Sequence, residues 1–315
     1  MKNGQGQGLA TEQKIRDLSE LFGMEFRIVA SILKRYPRLP QRYVHVDLNS
    51  GCGYNYEAEC DGSPIAFLKA ANCFPELDII PHFVELDEKR HEQLITGVVE
   101  YLVHCVVVGS FRNESGENFH TYREDNDGFL TYTFPALVER NQYGSILADP
   151  NGFDFPLAGL RIATEWAPLM DLFLNVPFNI SKRVNATPNF EQRIRGMAAL
   201  LKLKNDWIIR ESTGQWQHSI WIGRNTDKID EWRKRGFYKL SEPTGWAILE
   251  WCCLTAKERE SNPEFYLREL RRILADAGIS RPAPNGDGLA WQPLLPLRSG
   301  DDGSSPRSVS TLGPA

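Results

Sequence analysis

Six cysteines in 315 residues, at 52, 60, 73, 105, 252 and 253, form no Cys-x-x-Cys pair. Their spacing suits neither a zinc site nor a disulfide framework, so reduced thiols in a cytoplasmic protein are expected. Long apolar runs are missing as well. No stretch approaches the ~18 apolar residues that cross a bilayer, so no membrane partner is expected. The opening MKNGQGQGLATEQ lacks an apolar h-region, which argues against a secretory signal. There is no Gly-x-Ser-x-Gly, and the six histidines are scattered. A nucleophile triad and a bound metal are therefore not expected. No internal repeat is present.

The composition is that of a globular protein, 42% hydrophobic and 24% charged, with enough apolar side chain for one large core. Residues 1–10 are Gly/Gln-rich and 281–315 are Pro/Gly/Ser-rich, and both read as disordered tails. Residues 11–280 read as a single domain.

Periodicity alternates along that domain. Apolar positions recur at helical spacing over 11–36, ending near Pro37. Tyr43–Leu48 reads as a strand. Ser63-Pro64 opens a helix, with Ser63 as its N-cap and proline in the first turn. Ile79–Glu85 reads as a second strand, followed by a helix to about Val103. Strands are then expected at Cys105–Val108, Ser145–Ala148 and Asp171–Val176, with helices over 156–166 and 189–203. Trp207–Arg210 and Ser219–Ile222 flank Ser212-Thr213-Gly214 as a hairpin. Helices are expected over 228–235, 244–255 and 263–278. Alternating βα units imply a mostly parallel sheet. Five such units followed by a hairpin resemble the Rossmann-like class I methyltransferase layout: a seven-stranded, mostly parallel sheet with an antiparallel terminal hairpin and extra terminal helices.

The strongest motif is Val44-His45-Val46-Asp47-Leu48-Asn49-Ser50-Gly51-Cys52-Gly53, a strand ending in an acid and then Gly-x-Gly. Doubly wound sheets bind ligands at such strand ends, and glycine lets backbone approach a ligand. A dinucleotide loop wants a third small residue where Tyr56 stands, which counts against a nicotinamide oxidoreductase. An acid before the glycines suits the cationic amino-acid end of S-adenosylmethionine (SAM). Asp47, Asn49, Gly51 and Gly53 are thus the expected cofactor loop. Glu85, ending the second strand, offers the paired acceptors a ribose diol needs. Asp87 fits the N-terminus of the following helix. Ser110, after the expected third strand, is the candidate contact for the adenine amino group.

The fourth strand leads into Asp149-Pro150-Asn151-Gly152-Phe153. Amine methyltransferases carry (Asp/Asn/Ser)-Pro-Pro-aromatic here. A side-chain oxygen and a carbonyl accept the amine hydrogens, and an aromatic ring stacks on the substrate. Asp149, Pro150, Asn151 and Phe153 are the expected reaction residues, although the same residue types also make ordinary turns.

The run VHVDLNSGCG…DGSPIAFLKA…FVELDEKR…YGSILADPNG resembles the three-Cys-motif partner proteins over about residues 40–155. Asp47, Gly51, Gly53, Gly62-Ser63-Pro64, Glu85, Asp149-Pro150 and Gly152 stand at the matching places. Leu48-Asn49-Ser50 and Asn151 depart from the family's aromatic positions. The resemblance implies a SAM-binding fold found in mobile-element or phage-defence settings, and it fixes no substrate.

Charge is uneven. Asn179–Leu240 holds thirteen Lys or Arg against six Asp or Glu, a local +7 set against −12 elsewhere. Six tryptophans lie between 204 and 251. Aromatics among basic residues can stack bases and hold phosphates, and Arg233, Lys234 and Arg235 are the expected exposed contacts. The expected function is SAM-dependent methylation of an exocyclic amine in nucleic acid. The alternatives are a weak or inactive methyltransferase-fold module that binds a protein partner, and a small-molecule or protein methyltransferase.

Overall fold

The computed structural model describes residues 9–55, 59–107, 119–150, 154–177, 189–211, 218–226 and 229–282. Eight strands make the main sheet: β1 Arg42–Asp47, β2 Asp78–Val84, β3 His120–Tyr122, β4 Tyr143–Ala148, β5 Met170–Pro177, β6 Asp206–Arg210, β7 His218–Arg224 and β8 Phe237–Lys239. Their order is β3-β2-β1-β4-β5-β7-β6-β8. The first five in that order are parallel, and β7 turns antiparallel against both β5 and β6. This is the α/β arrangement expected from the sequence, mostly parallel with an antiparallel terminal hairpin, with one strand more. The eighth strand, three residues in a basic stretch after Gly236, pairs antiparallel with β6; it is too short to register as a pattern.

Seven main helices flank the sheet: α1 Leu9–Arg35, α2 Ser63–Ala71, α3 Glu88–Val107, α4 Leu157–Trp166, α5 Phe190–Leu201, α6 Pro243–Cys253 and α7 Pro263–Asp276. The central strands are buried on both faces, so their side chains alternate between two cores. Val44, Val46, Ile146, Leu172, Leu174 and Trp221 join one core, with α4 to α7 against it. Tyr43, Leu147, Phe173 and Ile222 join the other, under Leu18, Leu21, Phe22 and Phe26 of α1. Further along, α1 brings buried Glu25 toward Arg224, which forms an ion pair with Asp171 at 2.7 Å.

Two sequence expectations fail here. The β-branched run from Cys105 is not a strand. The helix α3 continues through Val107, and the third strand lies at His120–Tyr122. β-Branched residues cost only tenths of a kcal/mol in a helix. Leu94, Val98 and Leu102, one face of α3, are all in the core, and that packing decides. The reason for choosing Ser110 is thereby lost, and Ser110 itself lies outside the described residues. The second failure is Ser63. Gly62 is the N-cap of α2 and makes no side-chain cap bond, while Ser63 is already helical. Its hydroxyl instead donates to Asp47 Oδ2 at 2.6 Å, because a buried carboxylate must find donors.

No described helix is long and apolar enough to cross a membrane. Among the described residues no group of three or more His, Cys, Asp or Glu is arranged to hold a metal ion. Residues 1–8 and 283–315, including most of both expected tails, lie outside the described residues.

Candidate functional site

The carboxyl ends of β1, β2, β4 and β5 share one edge of the sheet, and the expected site residues gather there. Asp47, at the end of β1, is fully buried. Its Oδ1 accepts from the Asn49 amide at 3.1 Å and its Oδ2 from Ser63. Burial pushes its pKa up to about 6, against the pull of the Ser63 and Asn49 bonds and the charge of Lys14. Asp47 therefore uses both oxygens to tie the loop to the start of α2. The Ser50 amide pins the same loop to β2 by donating to the Val84 carbonyl at 3.1 Å.

Gly51 and Gly53 adopt φ of +61° and +75°, a region that side chains disfavour. A Cβ on Gly51 would meet nothing within 4 Å, so the backbone there borders open space. Behind the loop the fit is tight. The Gly62 amide donates to the Gly53 carbonyl at 2.7 Å, and a Cβ on Gly62 would stand 2.7 Å from that oxygen. The result is a backbone cradle, open on one side and braced on the other.

Glu85 follows β2 directly and is buried. Its Oε1 accepts from the Asp87 amide at 2.9 Å and pairs with Arg90 at 3.1 Å. Asp87 caps α3 as expected, accepting from the Arg90 amide at 2.9 Å.

Asp149 follows β4. Its amide donates to Asn49 Oδ1 at 3.1 Å, so Asn49 is a strut between the two loops. Both carboxylate oxygens are engaged. Lys14 of α1 pairs with Oδ2, and the Asn175 carboxamide of β5 donates to Oδ1. Pro150 is buried beside it. Asn151 and Phe153 lie outside the described residues. Sequence reasoning singled out neither Lys14 nor Asn175. Lys14 looks like any polar position on an amphipathic helix. Asn175 carried a signal, since it is a polar residue inside the apolar run Leu172-Phe173-Leu174-Asn175-Val176.

The basic region is arranged differently from what its composition suggests. Trp207, Trp221, Trp232 and Trp246 are buried in the cores, and Trp251 packs partly buried against one of them. Arg233, Lys234 and Arg235 are exposed as expected, but each meets a carboxylate: Glu242 at 2.5 Å, Glu231 at 2.7 Å and Glu20 at 2.7 Å. They lead into β8, whose Phe237 pairs with Arg210 at the carboxyl end of β6, and Arg235 reaches α1 two turns beyond Lys14.

No family model and no curated protein matches the chain. Solved structures overlap it loosely. A Legionella pneumophila protein of the DUF519 family is 11% identical with a TM-score of 0.42, over 82% of this chain and 95% of that one. A methyltransferase from Geobacter sulfurreducens is 14% identical at 0.36, over 68% and 79%. A SAM-dependent methyltransferase from Agrobacterium tumefaciens is 11% identical at 0.37, over 70% and 64%. None of these brings the three-Cys-motif partner family forward. Overlaps this loose leave the chain's own strand order and side chains as the ground for a functional reading.

Proposed function

We propose that the chain binds SAM at the carboxyl ends of β1 and β2 and transfers its methyl group at the end of β4. One observation carries the reading. The Gly51–Gly53 cradle, the acceptor Glu85 and the Asp149 loop are built on three neighbouring strands and open on one edge.

The residues fit the cofactor. The space beside Gly51 suits the close approach of a methionine moiety to backbone. Glu85 Oε2 is placed to accept from a ribose diol, while Arg90 and the Asp87 amide hold Oε1. Asp47 acts one step back, by fixing the loop. When bound, SAM supplies an activated methyl group. The acceptor's lone pair would take that methyl group, S-adenosylhomocysteine would leave, and the acceptor's proton would pass to water. Such transfer needs in-line positioning more than a strong base. Asp149, Asn175, Asn49 and Lys14 form a bonded unit at the place where positioning is needed.

The expectation of an amine carried on nucleic acid gains no specific support from Arg233, Lys234 and Arg235, which are matched by carboxylates, or from the core tryptophans. The alternative of a module without turnover predicts weak or no SAM binding, or binding without transfer to any acceptor. Calorimetric titration with SAM and S-adenosylhomocysteine tests the cofactor site. The expected result is micromolar binding, abolished in Gly53→Arg. No binding to the folded protein would overturn the enzyme reading.

A further inference from the structure

Asn175 is 2% exposed. It lies on β5 between β4 and β7, paired in register with Ile220. Strand alternation puts it on the same face as Phe173, the face that α1 covers. Its carboxamide orientation follows from chemistry. A carboxylate only accepts, so the Asn175 NH2 must face Asp149 Oδ1 and the carbonyl oxygen must point away. That oxygen, Oδ1, is buried and has no hydrogen-bond partner among the described residues. A buried amide oxygen without a partner is destabilising, so its retention calls for an explanation.

Its surroundings supply one. Asn175 lines a cleft with Lys14, Leu18, Arg210, His218 and Ile220. The cleft walls are held in place: Arg210 pairs with Asp17 of α1 at 3.0 Å, and Lys14 is anchored on Asp149. Asp149 was the sequence candidate for accepting the substrate's hydrogen. Both of its oxygens already serve Lys14 and Asn175, whereas Asn175 Oδ1 serves nothing.

We infer that Asn175 Oδ1 is the group that receives and orients the methyl acceptor, and that the acceptor donates a hydrogen, as an amine, amide or hydroxyl does. Asp149 is then a positioning residue that fixes the amide, and Lys14 balances its charge at the cleft wall. A carboxamide does not take up protons, so Asn175 holds the N–H or O–H and aims the lone pair, and the proton leaves to water after transfer. Acceptors without a donor hydrogen, such as thiolates, carboxylates and aromatic carbon, are disfavoured. This assignment rests on the methyl-transfer reading above.

The test uses sinefungin, the SAM analogue that carries an amine in place of the sulfonium methyl, against S-adenosylhomocysteine, which has nothing there. The whole chain is titrated with each. The wild type is expected to prefer sinefungin by about tenfold or more, the size of a hydrogen bond to a charged group. Asn175→Leu is expected to lose that preference while keeping its affinity for S-adenosylhomocysteine, which also shows that it is folded. The swap Asn175→Asp with Asp149→Asn keeps a donor–acceptor bond between the two positions and places a carboxylate against the amine, and its preference is expected to exceed the wild type's. The assignment is overturned if Asn175→Leu keeps the preference. It is equally overturned if Asn175→Leu does not fold and the swap matches the wild type. Binding of S-adenosylhomocysteine by the wild type with no preference for sinefungin overturns the assignment alone. Binding of neither ligand overturns the cofactor reading and this assignment with it.

Discussion

His45 gives the fold a defined sensitivity to acid. It lies in the middle of β1, fully buried. Its ring stacks on Phe67 with centroids 3.8 Å apart and planes 8° apart, and meets the edge of Phe22 at 5.2 Å. Nδ1 is 2.8 Å from Ser145 Oγ, and Nε2 has no hydrogen-bond partner among the described residues. Burial, helped by nearby His82, pushes its pKa from the ordinary 6.5 down to about 3. A base whose folded pKa is depressed binds its proton in the unfolded chain first. Its stabilising effect is therefore complete above 6.5 and is lost as pH falls from 6.5 toward 3. Each pH step of one in that window costs about 1.4 kcal/mol. Replacing His45 by Phe keeps the stack on Phe67 and removes the titration. Ser145 retains the bond donated by Tyr43 at 2.8 Å. At pH 7.5 His45→Phe is expected to lie within about 1 kcal/mol of the wild type, the net worth of one hydrogen bond. At pH 4.5, two pH steps below 6.5, it is expected to be more stable by about 2.7 kcal/mol relative to that baseline. The assay is urea unfolding followed by fluorescence of the buried tryptophans at both pH values. Taking the difference between the two proteins cancels the other titrating groups, including Asp47, whose raised pKa acts in the opposite sense. Parallel pH dependence in the two proteins would refute the reasoning.

Gly62→Ala puts a Cβ 2.7 Å from the Gly53 carbonyl oxygen, and is expected to cost about 1–3 kcal/mol and to weaken S-adenosylhomocysteine binding, read by thermal unfolding with and without ligand. Lys14→Met removes one partner of Asp149 in a pair that is only 17% and 18% exposed. It is expected to lower stability by about 1–3 kcal/mol, less than for a fully buried pair, and a change under about 0.3 kcal/mol in urea unfolding would contradict the contact. Burial and the nearby Asp171 raise Glu25 to about 8, so the folded state holds that proton longer than the unfolded chain does, and stability falls as pH rises from 4.5 toward 8. Glu25→Gln is therefore expected to gain on the wild type steadily across that range, and a constant difference between pH 5 and 8 would exclude the burial account.

Much of this architecture was legible because its long elements repeat their period. α1, β1, the helix after β2 and the β6–β7 hairpin all carry strong apolar patterns, and tertiary packing agrees with them. The carboxyl-edge loops were legible for a different reason: glycines at positive φ and an acid at a strand end are local requirements that few residues meet. What escaped detection is short or depends on distant partners. β3 and β8 have three residues each, below the length at which alternation is distinguishable from coil. The run Cys105-Val106-Val107-Val108 was misread because β propensity is weak beside the packing of Leu94, Val98 and Leu102. Ser63 looked like a cap, since its true partner, Asp47, is sixteen residues away. Lys14 and Asp149 are separated by 135 residues, and only the fold brings them together. The tryptophans between 204 and 251 read as a binding surface by composition, and burial in two cores is what accounts for four of them.

The most direct test of the account is hydrogen–deuterium exchange of the intact chain with and without S-adenosylhomocysteine. The account predicts slower exchange in peptides covering 48–55 and 84–90, with the loop after β4 slowed to a lesser degree and β8 unchanged. Slowed exchange confined to β8 and α6, or none at saturating ligand, would contradict a cofactor site on the carboxyl ends of β1 and β2.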